Sequence, residues 1–104
     1  MQTLQSIEQF NELKNGAAVI FEFTADWCGD CRFIEPFMPE IEETFSNYKF
    51  VKVDRDQFLD LCIELGIIGI PSFLAYENGN ELGRFVSKDR KTQTEIENFI
   101  SNLK

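Results

Sequence analysis

Trp27-Cys28-Gly29-Asp30-Cys31 stands between an apolar run, Ala17-Ala18-Val19-Ile20-Phe21-Glu22-Phe23-Thr24, and a stretch with helical apolar spacing from Arg32 to Phe45. This hand-over constrains the fold more than any other feature. So continuous an apolar run reads as a buried strand, and a strand delivered directly to a helix builds layered α/β structure. Two cysteines separated by two residues can close a small disulfide ring and reopen it. Cys28 falls at the helix N-terminus, where the first backbone N–H groups lack intrahelical partners and the helix dipole favours thiolate over thiol. The pattern points to redox chemistry at Cys28 and Cys31.

The chain has 104 residues. Read as one domain over residues 1–104, it can bury roughly two thirds of its unfolded surface, so its three cysteines are not needed as scaffolding. Ten Lys and Arg against eighteen Asp and Glu leave a net charge of −8, which opposes a phosphate backbone and disfavours nucleic acid and anionic membranes alike. Met1–Ser6 has neither the basic nor the apolar region of a secretory leader, and no stretch approaches the roughly 20 apolar residues of a membrane span. With only one close cysteine pair, these features predict a cytoplasmic protein; it is also expected to act as a monomer. The absence of histidine removes Ser–His and Cys–His catalysis and imidazole metal ligation. Carboxylates, lysines, tyrosines and thiols remain as acids and bases.

Ser6-Ile7-Glu8-Gln9 has the form of a capping box opening a short helix through Ile7, Phe10, Asn11 and Leu13, stopped by Asn15-Gly16. A weakly signalled strand at Gln2 to Leu4 precedes it. In the Arg32 to Phe45 helix, Ile34, Phe37, Met38, Ile41 and Phe45 follow helical spacing, and Pro36 predicts a kink. Lys49 to Asp54 alternates like a strand, and Phe58, Leu61, Cys62 and Leu65 mark one face of a helix ended by Gly66. Ser72 to Tyr76 and Glu81 to Val86 flank Glu77-Asn78-Gly79-Asn80, a hairpin signal. Ile96, Phe99, Ile100 and Leu103 give a closing helix. The order β, α, β, α, β, α, β, β, α predicts an α/β fold, a central mixed sheet with helices on both faces.

Val19 to Arg32, then Pro36-Phe37, then Gly69-Ile70-Pro71-Ser72 about forty residues after the cysteines, together resemble the thioredoxin family over nearly the whole chain. The resemblance implies the thioredoxin fold and assigns roles. Cys28 would be the nucleophile, attacking a substrate disulfide to form a mixed disulfide that Cys31 resolves. Pro71 matches the family's cis-proline, which makes Ile70-Pro71 the expected cis bond and leaves the preceding backbone free to pair with an extended substrate. Glu22 stands where thioredoxins carry a buried aspartate and could take the Cys31 proton; the alternative reading is a solvated acid on a half-exposed strand. Lys52 matches the lysine that accompanies the buried acid, or is an ordinary strand lysine. Trp27 would cover the rim, and Gly29, Asp30, Gly66, Ile67, Gly69 and Ile70 would complete the substrate site. Cys62, on the apolar face of its helix, reads as a buried inert thiol. A structural metal at the cysteine pair would need more ligands than Cys62 can add, so none is expected.

Asp30 replaces the family's usual proline, Thr24 stands where many thioredoxins have a second tryptophan, and Ser87 takes a glycine position near the groove. Arg55 and Lys88 fall where many relatives are smaller or more apolar. The Asp30 charge should oppose the Cys28 thiolate, with Arg32 expected to offset part of it. The resulting expectation is a reductase of protein disulfides that needs no bound cofactor, with disulfide-containing proteins as substrates. An NADPH-dependent flavin thioredoxin reductase is the implied electron donor, and a low-molecular-weight thiol is the alternative. A partner-binding module on the same fold, or a disulfide isomerase or oxidase, are the competing readings.

Overall fold

Val19–Thr24 forms a strand (β2) that is buried on both faces apart from Thr24 at its end. Alternation sends Val19, Phe21 and Phe23 into one apolar cluster and Ile20 into another on the opposite side of the sheet. Both faces must therefore be covered. The computed structural model describes residues 1–103. In chain order the elements are β1 (Gln2–Thr3), α1 (Ile7–Lys14), β2, α2 (Gly29–Ile34), a 3-10 turn (Glu35–Phe37), α3 (Met38–Thr44), β3 (Lys49–Asp54), α4 (Leu59–Leu65), β4 (Ser72–Glu77), β5 (Asn80–Phe85) and α5 (Gln93–Ser101). The sheet order is β1-β3-β2-β4-β5. β1, β3 and β2 run parallel, β4 is antiparallel to β2, and β5 is antiparallel to β4.

One cluster joins Phe10 of α1 and Leu61 and Cys62 of α4 to Phe21, Phe23, Val51, Val53 and Leu74 of the strands. The other joins Ile34, Met38, Ile41, Ile96 and Ile100 from α2, α3 and α5 to Ile20, Phe50, Phe73 and Ala75. This is the expected mixed sheet with helices on both faces.

The stretch expected as one kinked helix from Arg32 to Phe45 differs from that reading. It starts earlier, at Gly29, and is interrupted by the Glu35–Phe37 turn. Pro36 supplies no N–H and its ring crowds the preceding turn, and Pro39 repeats the problem one residue into α3. Two prolines so close convert a kink into a break. At α1 the Ser6 hydroxyl accepts from Gln9 N at 3.0 Å, but the Gln9 side chain reaches back to Gln5 N at 2.6 Å rather than to Ser6. The complete capping box lies instead at α5, between Thr92 and Glu95, a pair the sequence reading passed over.

The hairpin turn places Asn78 and Gly79 at φ of 52° and 85°, as a two-residue turn between twisted strands requires. Gly66 ends α4 in the left-handed conformation at φ 74°, with Ile67 N donating to Cys62 O at 2.9 Å. Gly66→Ala should lower the unfolding free energy by about 1 to 2 kcal/mol, the cost of a Cβ in that conformation. Urea titration should show this with an unchanged m value, and an equally stable variant would contradict it.

Candidate active site

β2 ends against the start of α2, and the short loop Ala25-Asp26-Trp27 delivers Cys28 to the N-cap of that helix. Cys28 Sγ accepts from Cys31 N at 3.2 Å, which satisfies one of the N–H groups left open at the helix start. Cys28 and Cys31 form a disulfide, with Cα atoms 5.2 Å apart. The pair packs on Ala25 and Ile70. Cys28 is 6 % exposed and Cys31 1 %, so a partner reaches the first sulfur before the second.

A groove of about 440 Å³ opens over Cys28. Trp27, Gly29, Asp30, Ile67, Gly69 and Ile70, all singled out in the sequence, line it. Ile68, Arg55 and Lys88 complete the lining. Gly66 does not belong to it. It caps α4 beside Arg84, because the chain must first reverse there before Ile67 to Ile70 can run along the groove. The Ile70–Pro71 bond is cis, Pro71 itself is buried, and Ile70 O lies 3.8 Å from Cys28 Sγ. Gly69 is required by close approach: a Cβ there would come within 2.7 Å of Lys88 Cα.

Trp27 is 59 % exposed, yet its orientation is held, because its indole N–H donates to Asp56 Oδ2 at 2.7 Å. The Arg55 guanidinium lies 5.7 Å from the ring and pairs with Asp56 at 3.3 Å. Asp56 was missed in the sequence, where it is one acid among several after β3; only the tertiary contact reveals it.

Asp30 corrects a second expectation. Arg32 does not pair with it; the Arg32 guanidinium donates to Asp26 O at 2.6 Å. The cation on Asp30 is Arg90, sixty residues away, whose Nε donates to Asp30 Oδ1 at 2.9 Å. Arg90 also lies 4.3 Å from the Phe33 ring centroid. No local pattern could have announced this pair. Behind it Lys91 is buried, its ammonium donating to Ser87 O, Ser87 Oγ and Asp89 O at 3.2, 3.0 and 2.9 Å. These bonds fix the loop that carries both Lys88 and Arg90.

Glu22 is 1 % exposed, and among the described residues its Oε1 has no hydrogen-bond partner. It is therefore not the solvated strand acid that its sequence also allowed. Burial pushes its carboxyl up to about 7, opposed in part by Lys52 and reinforced by Glu35 and Glu42. Lys52 lies opposite Glu22 in the β2–β3 register and, half-buried, pairs with Glu35 at 3.5 Å. These two residues lie away from the groove and line a separate cavity together with Glu35, Met38 and Glu42. Cys62 is buried in the other core cluster, and burial pushes its thiol up to about 11, consistent with an inert group. Among the described residues, no three or more His, Cys, Asp or Glu side chains are grouped to hold a metal ion.

Two predictions follow from these charges. Because Glu22 takes up a proton more readily folded than unfolded, its contribution to stability is complete below about pH 4.5 and lost as pH rises through about 7. Glu22→Gln should thus gain about 3 kcal/mol on the parent between pH 4 and pH 8 in urea unfolding, and a pH-independent difference would contradict the burial. In the reduced protein, Arg90→Gln should raise the Cys28 pKa by about half a pH unit and Asp30→Asn lower it similarly, since both charges are solvent-screened. Thiolate absorbance titration checks this, and matching shifts of one sign would show that the pair does not act on the sulfur.

Comparison with known proteins agrees with this site. The thioredoxin family model matches residues 2–102. Thioredoxin of Callithrix jacchus is 30% identical over 104 residues, covering 96% of this chain and 99% of that protein. The mitochondrial thioredoxin-2 of Schizosaccharomyces pombe is 27% identical over 100 residues, covering 92% of this chain and 75% of the relative. The crystal structure of Malassezia sympodialis thioredoxin superposes with a TM-score of 0.85 at 30% identity, over 98% of this chain and 91% of that one. With its fold, its Cys28–Cys31 disulfide and its sequence all agreeing, the chain belongs to the thioredoxin family of thiol–disulfide oxidoreductases.

Proposed function

We propose that this protein reduces disulfides of protein substrates by cycling Cys28 and Cys31 between dithiol and disulfide. The observation that carries the reading is the accessibility of Cys28 at the floor of a groove whose rims, Trp27 and Ile68, are 59 % and 66 % exposed. An extended peptide fits there better than a small molecule, because Ile70 offers a backbone carbonyl 3.8 Å from the sulfur and apolar side chains lie to either side.

In the reduced protein the Cys28 thiolate attacks one substrate sulfur, the other substrate sulfur leaves as a thiolate, and a mixed disulfide results. Cys31 loses its proton and attacks Cys28 Sγ. The Cys28–Cys31 bond forms, the second substrate thiolate leaves, and two electrons have passed to the substrate. Glu22, with a carboxyl that titrates near neutrality, is suited to receive the Cys31 proton. Lys52 tunes that group. No bound cofactor enters the cycle. Electrons would come from an NADPH-dependent flavin thioredoxin reductase, in the reducing setting of the cytoplasm, with the protein acting as a monomer.

Limiting alkylation of the reduced protein should label Cys28 first, and catalytic amounts of the protein should accelerate insulin reduction by dithiothreitol. Cys31→Ser should abolish turnover and accumulate mixed disulfides through Cys28, since no thiol remains to release the substrate. Absence of insulin turnover by the parent, with stoichiometric capture of a partner instead, would replace this reading with that of a binding module.

A further inference from the structure

Glu35, to which the sequence assigns no role, lies where two cavities meet. One, about 250 Å³, has Glu22 in its wall together with Met38, Glu42, Lys52 and Glu35. The other, about 110 Å³, has Cys31 in its wall together with Thr24, Arg32, Lys52 and, again, Glu35. Only the Glu35–Lys52 ion pair, 3.5 Å from Oε1 to Nζ, is common to both. Each space is wide enough for water, which needs roughly 15 Å³.

Lys52 is the nearest cation to Glu22 by register, since the two face each other across β2 and β3. Yet Glu22 Oε1 is left without a partner while the ammonium is engaged by Glu35. A buried carboxylate normally takes an available donor, because an unpaired buried acceptor is costly. The remaining groups around Glu22 do not supply one. Glu42 of α3 is anionic and pairs with the Met1 α-amino group at 3.3 Å. β4 presents Phe73 in register, and the buried residues of α5 are Ile96 and Ile100. Glu35 is able to hold the ammonium because Pro36 and Pro39 break the helix into a 3-10 turn that begins at this residue.

We propose that Glu35 is a positioning residue for the resolving step: it holds the Lys52 ammonium at the junction of the two cavities and keeps it from pairing with Glu22, so that the buried carboxylate stays free to take the Cys31 proton. This rests on the reductase cycle proposed above. In the step concerned, the Cys31 thiol proton passes to Glu22 and the Cys31 thiolate attacks Cys28 Sγ. The Cys28–Cys31 bond forms as the bond from Cys28 to the substrate sulfur breaks, and the departing thiolate carries away the electron pair.

The test reads Glu22 directly, by carbon NMR titration of its side-chain carboxyl in the reduced protein, assigned with Glu22→Gln. Glu35→Gln should lower the Glu22 midpoint by about one pH unit, as the released ammonium turns to the carboxylate. In a Lys52→Met background the same Glu35→Gln change should move the midpoint by less than half as much. A midpoint that holds or rises in Glu35→Gln overturns the proposal, as does an undiminished drop without Lys52, which would make Glu35 a direct through-space charge. The second measurement is release of thionitrobenzoate from its mixed disulfide with Cys28, which reports attack by Cys31 without any protein substrate. Its acid limb should move down with the Glu22 midpoint in Glu35→Gln, and a limb that stays in place while Glu22 shifts also overturns it. Failure of insulin turnover, with these two measurements as expected, would defeat the protein-disulfide reading and leave the Glu35 assignment standing.

Discussion

Burial of β2 on both faces is the constraint from which the remaining structure follows. β2 pairs with β3 on one side and β4 on the other, so its backbone groups are satisfied within the sheet while its side chains need cover above and below. α1 and α4 supply one cover, and α2, α3 and α5 the other. Because α2 starts within a few residues of the end of β2, the cysteine pair is held at the carboxyl end of the most buried strand, with a helix start behind the first sulfur. Such rigid placement keeps one sulfur reachable and the other recessed. It also buries Glu22, in the middle of the same strand, and raises its proton affinity into the range useful near neutral pH.

Around that frame, ion pairs join elements far apart in the chain. Arg90 meets Asp30 across sixty residues, Lys52 meets Glu35 between β3 and the turn after α2, and Trp27 is held by Asp56. Exposed pairs of this kind contribute little to stability. Their consequence lies in orientation and local potential. Asp30 does not stand as a bare charge beside Cys28, and the Trp27 rim does not swing freely over the groove. A chain with net charge −8 thus presents a mixed-charge active-site edge, with Arg55 and Lys88 in the groove wall.

What the sequence determined by itself is whatever depends on short-range pattern. The buried run at β2, the alternation at β3, the Asn78-Gly79 hairpin, the stop at Gly66 and the cysteine pair at a helix start are all local signals, and each physical cause acts over a few residues. The motif resemblance added the cis bond before Pro71 and the location of the groove. At the second helix the local signal is a pair of prolines, Pro36 and Pro39, which together break the helix where Pro36 alone predicts only a kink.

Tertiary structure decided the rest, because it concerns which distant side chains meet. Whether Glu22 is solvated depends on β3, β4 and α3 closing over it, and its own strand pattern was compatible with either state. That Asp30 is answered by Arg90 and not by Arg32 depends on the loop tied down by Lys91, and that Lys52 turns to Glu35 depends on a helix break. Charge acts through space, whereas periodicity is written along the chain. The elements and the reactive sulfurs were therefore legible in the sequence, while the partners that set their protonation became visible only when the chain was folded.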